Sequence, residues 1–188
     1  MHLIPTDLPE VMMVAVDVYG DARGFFLESY HEREFASLGI SARFVQDNHS
    51  HSTRGVLRGL HYQLQRPQGK LVRVVRGEIW DVAVDIRRGS PRFGRWAGVL
   101  LSEENKRQLY VPPGFAHGFC VLSEVADVIY KCTDFYSPGD EYGVRWDDPT
   151  LGIDWPQSEP LLSEKDRAYP WLRDMQGVLP VYDTERGV

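Results

Sequence analysis

The chain has 188 residues, 43% hydrophobic and 26% charged, with 17 glycines and 12 prolines. That is enough for one unit, residues 1–188, with a sizeable core and many turns. The net charge of -6 argues against a nucleic acid or an anionic membrane surface as partner, although a few local arginines suffice for a small anion. The two cysteines, Cys120 and Cys132, stand outside any CxxC spacing and make no disulfide framework, so the chain reads as a reduced, cytoplasmic protein.

In chain order, "MHLIPTDLPEVMM" lacks a basic stretch followed by an apolar core, so no signal peptide is expected. The run "VMMVAV" is too short to span a bilayer. "HEREFASLG" (31–39) predicts a surface helix ending at Gly39. From residue 70 onward, "KLVRVV", "IWDVAVDI", "RWAGVLL", "RQLYV", "GFAHGFCVL" and "VADVIYKCTDFY" are short apolar runs bounded by turn residues. Their spacing predicts an antiparallel sandwich or barrel, with a jelly roll as the natural architecture. "LSEKDRAYPWLRDM" (162–175) predicts a late helix opened by Ser163 and interrupted by Pro170. The expected fold is all-β, a jelly-roll barrel with a few short peripheral helices.

The stretch "VLRGLHYQ" (56–63) stands out because it puts Arg58 and His61 in a strand. Burying them there costs several kcal/mol, on the order of a lost ion pair, unless they find partners. Strict alternation sends the two side chains to opposite faces. A bulge at Gly59 would turn both to one side. Lys70 shares parity with Val72 and Val74 and so points inward with them. Together these residues make a cationic pocket suited to an anionic substrate and a developing oxyanion. Taken singly, each has an ordinary structural reading. His61 suits a core or rim histidine, and Lys70 follows the "RPQGK" turn. Asp81 and Asp85 suit solvent or loop backbone. Asp166 is the third helical residue of a capping box, "SEKD".

"PPGFAH" (112–117) resembles the second motif of the cupin barrels. Metal-binding cupins carry an H-x-H pair in their first motif, whereas here His61 is followed by Gln63. His61 and His117 alone are a poor metal set, and no metal is expected.

The segments "DARGFFLESY", "FVQDNHS", "VLRGLHYQ", "QGKLVRVVRGEIWDVAVDIR", "LYVPPGFAHGF", "VIYKCTDFYSPGDE" and "LSEKD" resemble, in the same order, the dTDP-4-dehydrorhamnose 3,5-epimerase family. The resemblance runs from about residue 4 to 174. It implies a cupin-like jelly-roll homodimer that inverts C3 and C5 of dTDP-4-keto-6-deoxy-D-glucose without a cofactor. Both carbons are alpha to the C4 ketone, so the chemistry needs a base on one face, a stabilised enolate, and an acid on the other face.

Carried over by residue, the resemblance makes His61 the base, oriented by Asp166. The ordinary histidine pKa of about 6.5 suits a base near neutrality. Lys70 stabilises the enolate and Tyr130 is the proton donor. His117 is a further pocket residue, supported from behind by Asp81. Arg58 and Arg23 match diphosphate ligands, since forked donors suit phosphate oxygens. Phe26, Glu28, Gln46, Asp47 and Asn48 match segments contacting sugar and nucleotide. Tyr136 matches an aromatic stacked on thymine, and Glu141 and Lys165 match the nucleotide end. The strand of "RGFFLE" crosses to the partner in the family, which would put Arg23, Phe26 and Glu28 in the neighbour's site. The alternatives are a mono-epimerase of C3 or C5 in another dTDP-deoxysugar pathway, a cupin metalloenzyme, and a non-catalytic nucleotide-sugar binder.

Overall fold

The first part of the chain forms short strands, β1 (His2–Ile4) and β2 (Met12–Ala15), and a hairpin of β3 (Val18–Asp21) and β4 (Gly24–Leu27). Helix α1 (Glu32–Ser37), β5 (Gln46–Thr53) and β6 (Leu57–Gln63) follow. The apolar runs then become β7 (Lys70–Arg76), β8 (Glu78–Asp85), β9 (Trp96–Ser102), β10 (Gln108–Val111), β11 (Phe115–Val121) and β12 (Val125–Cys132). The short β13 (Glu141–Gly143) and helix α2 (Glu164–Ala168) come last. This computed structural model describes residues 1–183, so residues 184–188 of the expected unit lie outside the described residues.

The strands form two antiparallel sheets. One has the order β1-β2-β10-β7-β12-β5 and the other β13-β6-β11-β8-β9, with β3 and β4 as a separate pair. The period-2 pattern of the sequence is what closes them face to face. Val72, Val74, Leu109, Val111 and Val128 from the first sheet meet Ile79, Ala83, Phe115, Phe119, Val121 and Leu101 from the second in one core. The outer face of the second sheet is covered too, where Val82, Val84 and Ala116 pack against Leu151, Leu172, Met175 and Leu179. Strand β11 is therefore buried at every position. On the outer face of the first sheet, Phe35 of α1 packs with Val14, Leu71 and Tyr110. The expected all-β, cupin-like jelly roll is the fold observed.

Two helical expectations shift at their ends. Helix α1 is shorter than 31–39 and terminates before Gly39, which takes φ +91°. The expected 162–175 helix is two pieces. Ser163 caps α2 by accepting from Asp166 N at 3.0 Å. Tyr169 precedes Pro170 and is held extended, at φ -62° and ψ 144°. A separate 3-10 turn then spans Leu172–Asp174.

Of the readings given to Asp81 and Asp85, the loop-backbone one holds for Asp85, which accepts from Arg87 N at 3.0 Å, and the solvent one fails for both. Neither faces solvent, and both are fully buried on the inward side of β8. Asp85 accepts from Arg87 and Ser90, and the Arg87 guanidinium also lies over the Phe115 ring. Asp81 belongs to the site described below. Among the described residues no helix is long and apolar enough to cross a membrane.

The bulge at Gly59 is real, since the β11–β6 register shifts between His117 and Phe119. Gly59 has φ +131°, and a Cβ there would lie 2.5 Å from Gly118 Cα and 2.9 Å from the His117 carbonyl oxygen. Only glycine tolerates both the dihedral and the contact. Gly24 has φ +128° but open space around its would-be Cβ. Gly59→Ala should therefore destabilise by about 2–4 kcal/mol, and Gly24→Ala by about 1 kcal/mol. Urea unfolding of both checks this, and equal losses would show that the strand contact contributes nothing.

Candidate active site

The bulge turns both Arg58 and His61 into one cavity between the sheets, of about 380 Å³. Strand β6 supplies Arg58 and His61, and β11 supplies His117 and Phe119. From the facing sheet, β7 supplies Lys70, β12 supplies Tyr130, and β5 supplies Gln46, Asn48 and Ser50. The cavity is completed by Gln68, Tyr136, Glu141 and Lys165. Each inward position follows from strand parity: Lys70 joins Val72 and Val74, Tyr130 joins Val128, and Gln46, Asn48 and Ser50 alternate along β5.

His61 is held from behind. Its Nε2–H donates to Asp166 Oδ1 at 2.5 Å, while Nδ1 lies 4.0 Å from Glu141 Oε1. Burial alone would raise the Asp166 carboxyl, but the His61 hydrogen bond and charge, with smaller contributions from the Ser163 hydroxyl and the Lys165 charge, outweigh it and hold Asp166 below its ordinary 3.8. Across the β6–β11 register, His117 is the direct neighbour of His61. Its Nε2–H donates to Asp81 Oδ1 at 2.6 Å, in a buried pair. The second oxygen of Asp81 is buried with no hydrogen bond.

Burial lowers the Lys70 ammonium from its ordinary 10.5, and negative charge at Cys132, Glu141 and Asp81 offsets this only in part. Burial also raises the Tyr130 phenol above 10.0. At the outer end, Glu141 accepts from the Tyr136 hydroxyl at 2.7 Å and from the Lys165 ammonium. Burial would raise Glu141, and these two donors with the His61 charge bring it below 4.5 instead. The Arg58 Nε–H donates to Ser52 Oγ at 3.0 Å, leaving an exposed guanidinium at the cavity rim. Among the described residues no group of three or more His, Cys, Asp or Glu side chains is arranged to hold a metal ion.

Of the residues singled out from sequence, His61, Lys70, Tyr130, Gln46, Asn48, Arg58, His117, Tyr136, Glu141 and Lys165 surround this one cavity, with Asp166 and Asp81 behind the two histidines. Asp47 does not join them. It has the opposite parity on β5 and accepts from Lys131 at 2.9 Å on the outer face. Arg23, Phe26 and Glu28 are also absent from this cavity. They lie exposed on or beside the β3–β4 hairpin, where Arg23 pairs with Asp21 of the same turn. Sequence reasoning missed Ser50, Gln68, Phe119 and Tyr169, whose ring packs edge-on to His61 at 5.6 Å. Parity with Gln46 and Asn48 was a usable signal for Ser50.

The lowered carboxyls give a pH dependence with a definite sign. Asp166 and Glu141 stabilise the folded state fully above their unfolded values, 3.8 and 4.5, and that stabilisation is lost as pH falls through the lowered folded values. Asp166→Asn should therefore lose less stability than the unaltered chain between about pH 5 and about pH 2. Urea midpoints across that range check it, and parallel curves would remove Asp166 as a contributor.

The family profile described as dTDP-4-dehydrorhamnose 3,5-epimerase matches residues 5–174. The dTDP-4-dehydrorhamnose 3,5-epimerase of Pseudomonas aeruginosa is 60% identical over 85% of this chain and 90% of its own length. That of Shigella flexneri is 57% identical over 88% and 93%. The crystal structure of the Legionella pneumophila dTDP-6-deoxy-D-glucose-3,5-epimerase in complex with dTDP-4-keto-L-rhamnose superposes with a TM-score of 0.94 at 53% identity, covering 97% of this chain and 99% of that one. The chain belongs to the dTDP-4-dehydrorhamnose 3,5-epimerase family.

Proposed function

We propose that this chain is an isomerase that inverts C3 and C5 of dTDP-4-keto-6-deoxy-D-glucose, giving dTDP-4-keto-L-rhamnose for dTDP-L-rhamnose biosynthesis. The observation that carries the reading is the disposition of base and acid on facing sheets. His61 stands on β6 of one sheet, and Tyr130 and Lys70 stand on β12 and β7 of the other, around one cavity. Inversion at a carbon needs proton removal on one face and return on the opposite face, and facing walls supply that. His61 Nδ1 takes the proton alpha to the C4 ketone, and Asp166 stabilises the resulting imidazolium. The electron pair moves into a C4 enolate, stabilised by the buried Lys70 ammonium, which is strongest as a partner in a desolvated site. Tyr130 returns a proton to carbon from the other side. Each inversion leaves His61 protonated and Tyr130 deprotonated, and exchange with solvent returns one proton from His61 and restores one to Tyr130 before the next.

Arg58 suits the diphosphate and Tyr136 the thymine, with Gln46, Asn48, His117, Glu141 and Lys165 holding sugar and nucleotide. Arg23, Phe26 and Glu28 serve the cavity of a second copy, in a homodimer with exchanged hairpins. The exposure of Tyr19, Phe25 and Phe26 at 64%, 62% and 65% supports this reading, as the hairpin presents aromatic surface that, among the described residues, only Lys106 partly covers, at the Phe25 ring. The two free, buried cysteines fit a cytoplasmic protein.

The deciding experiment follows deuterium by NMR in D₂O with dTDP-4-keto-6-deoxy-D-glucose. Deuterium should enter at both C3 and C5, and His61→Ala should abolish both exchanges while dTDP still binds. Exchange at one carbon would make the enzyme a mono-epimerase, and none at either would make it a binder. Tyr130→Phe should retain exchange while net inversion falls by about 10²-fold or more. Equal losses of exchange and inversion would remove Tyr130 as the acid.

A further inference from the structure

The His61–Asp166 hydrogen bond fixes the imidazole at one point. The χ2 torsion of a histidine is broad, so a second contact is needed to define the plane of the ring. Tyr169 makes that contact, with ring centroids 5.6 Å apart and planes at 68°. Room for it comes from Gly143, the direct neighbour of His61 across the β13–β6 register. A Cβ at Gly143 would lie 2.4 Å from the Tyr169 ring, so the tyrosine occupies the space a strand side chain would take. The backbone is fixed as well, because Tyr169 precedes a proline and Arg145 N donates to the Pro170 carbonyl at 2.9 Å.

We propose that Tyr169 is a positioning residue for His61: its ring fixes the imidazole plane, keeping Nε2 on Asp166 and Nδ1 on the Glu141 side of the cavity. This rests on the reading of His61 as the base. The charged and titratable groups around His61 are Asp166 and Lys165 from α2, Glu141 from β13 and His117 from β11. The working part of Tyr169 is its ring. The hydroxyl is buried beside Lys165 without a hydrogen bond of normal geometry, and burial pushes the phenol up to about 12, so it stays neutral through the working range of a histidine base.

Three variants test this by steady-state kinetics across pH, with dTDP affinity and thermal midpoint measured in parallel. Tyr169→Leu should lower kcat by about 10- to 100-fold, with KM within about twofold and the acidic limb of kcat/KM displaced. Tyr169→Phe should keep the kcat and acidic limb of the unaltered chain. Should Tyr169→Leu fail to fold, Tyr169→Met gives the same comparison, as it fills volume without a ring. A Leu or Met variant with unaltered kcat and acidic limb overturns the proposal. So does a Phe variant as impaired as Leu, which would place the effect in the hydroxyl. His61→Asn is run alongside and should lose C3 and C5 exchange. If it retains exchange, the base assignment itself fails, and the role of Tyr169 fails with it.

Discussion

A polar group carried into the interior of a barrel must bring a partner, because desolvation without one exceeds what folding can spare. The interior of this jelly roll is arranged around that constraint. His61 enters with Asp166, His117 with Asp81, and Arg87 with Asp85 and the Phe115 ring. Glu141 is bound by Tyr136 and Lys165. Lys70 is the member whose charge is least supported: burial lowers its ammonium, and the neighbouring negative charges do not restore it. The site thus holds one under-compensated cation beside two oriented histidines, which is the electrostatic state that a developing enolate would complete.

Much of this was readable from residue order, because the strand period is strict. The runs from Lys70 to Cys132 are short, apolar and bounded by turns, and parity alone put Lys70 on the inner face with Val72 and Val74. Gly59 announced a bulge because a glycine within a strand has few other reasons to be there. Parity with Ile79 and Ala83 was an available signal for Asp81 and Asp85 too, but their charge argued for solvent or loop backbone. The family resemblance already pairs Asp81 with His117, whereas the partner that reverses the argument for Asp85, Arg87, is visible only in three dimensions. Strand β5, "QDNHSHST", was not legible as a strand, since its inward side faces a wet cavity and lacks the apolar alternation that marks a core strand.

The same limits apply to the site. Asp166 read alone as a helix-capping residue, and it does take part in the cap through its backbone N–H. Its carboxylate still serves His61, because the cap itself takes the backbone N–H and Ser163 adds only a lesser contribution to the carboxylate. Asp47 resembled its neighbours Gln46 and Asn48 in sequence, but adjacent residues of a strand face opposite ways, so Lys131 rather than the cavity receives it. Tyr169 carried no signal at all, as it sits at a helix end and reaches His61 only through the gap at Gly143.

His61 and the Asp166 carboxylate that holds it are 105 positions apart, and α2 lies near the end of the described residues. Bringing such distant segments together is entropically expensive and comes late in folding. During synthesis, most of both sheets emerges from the ribosome before Lys165 and Asp166 do. The nascent barrel can therefore close around its core while His61 still lacks the Asp166 carboxylate, so the orientation of this imidazole is set after the sheets have met.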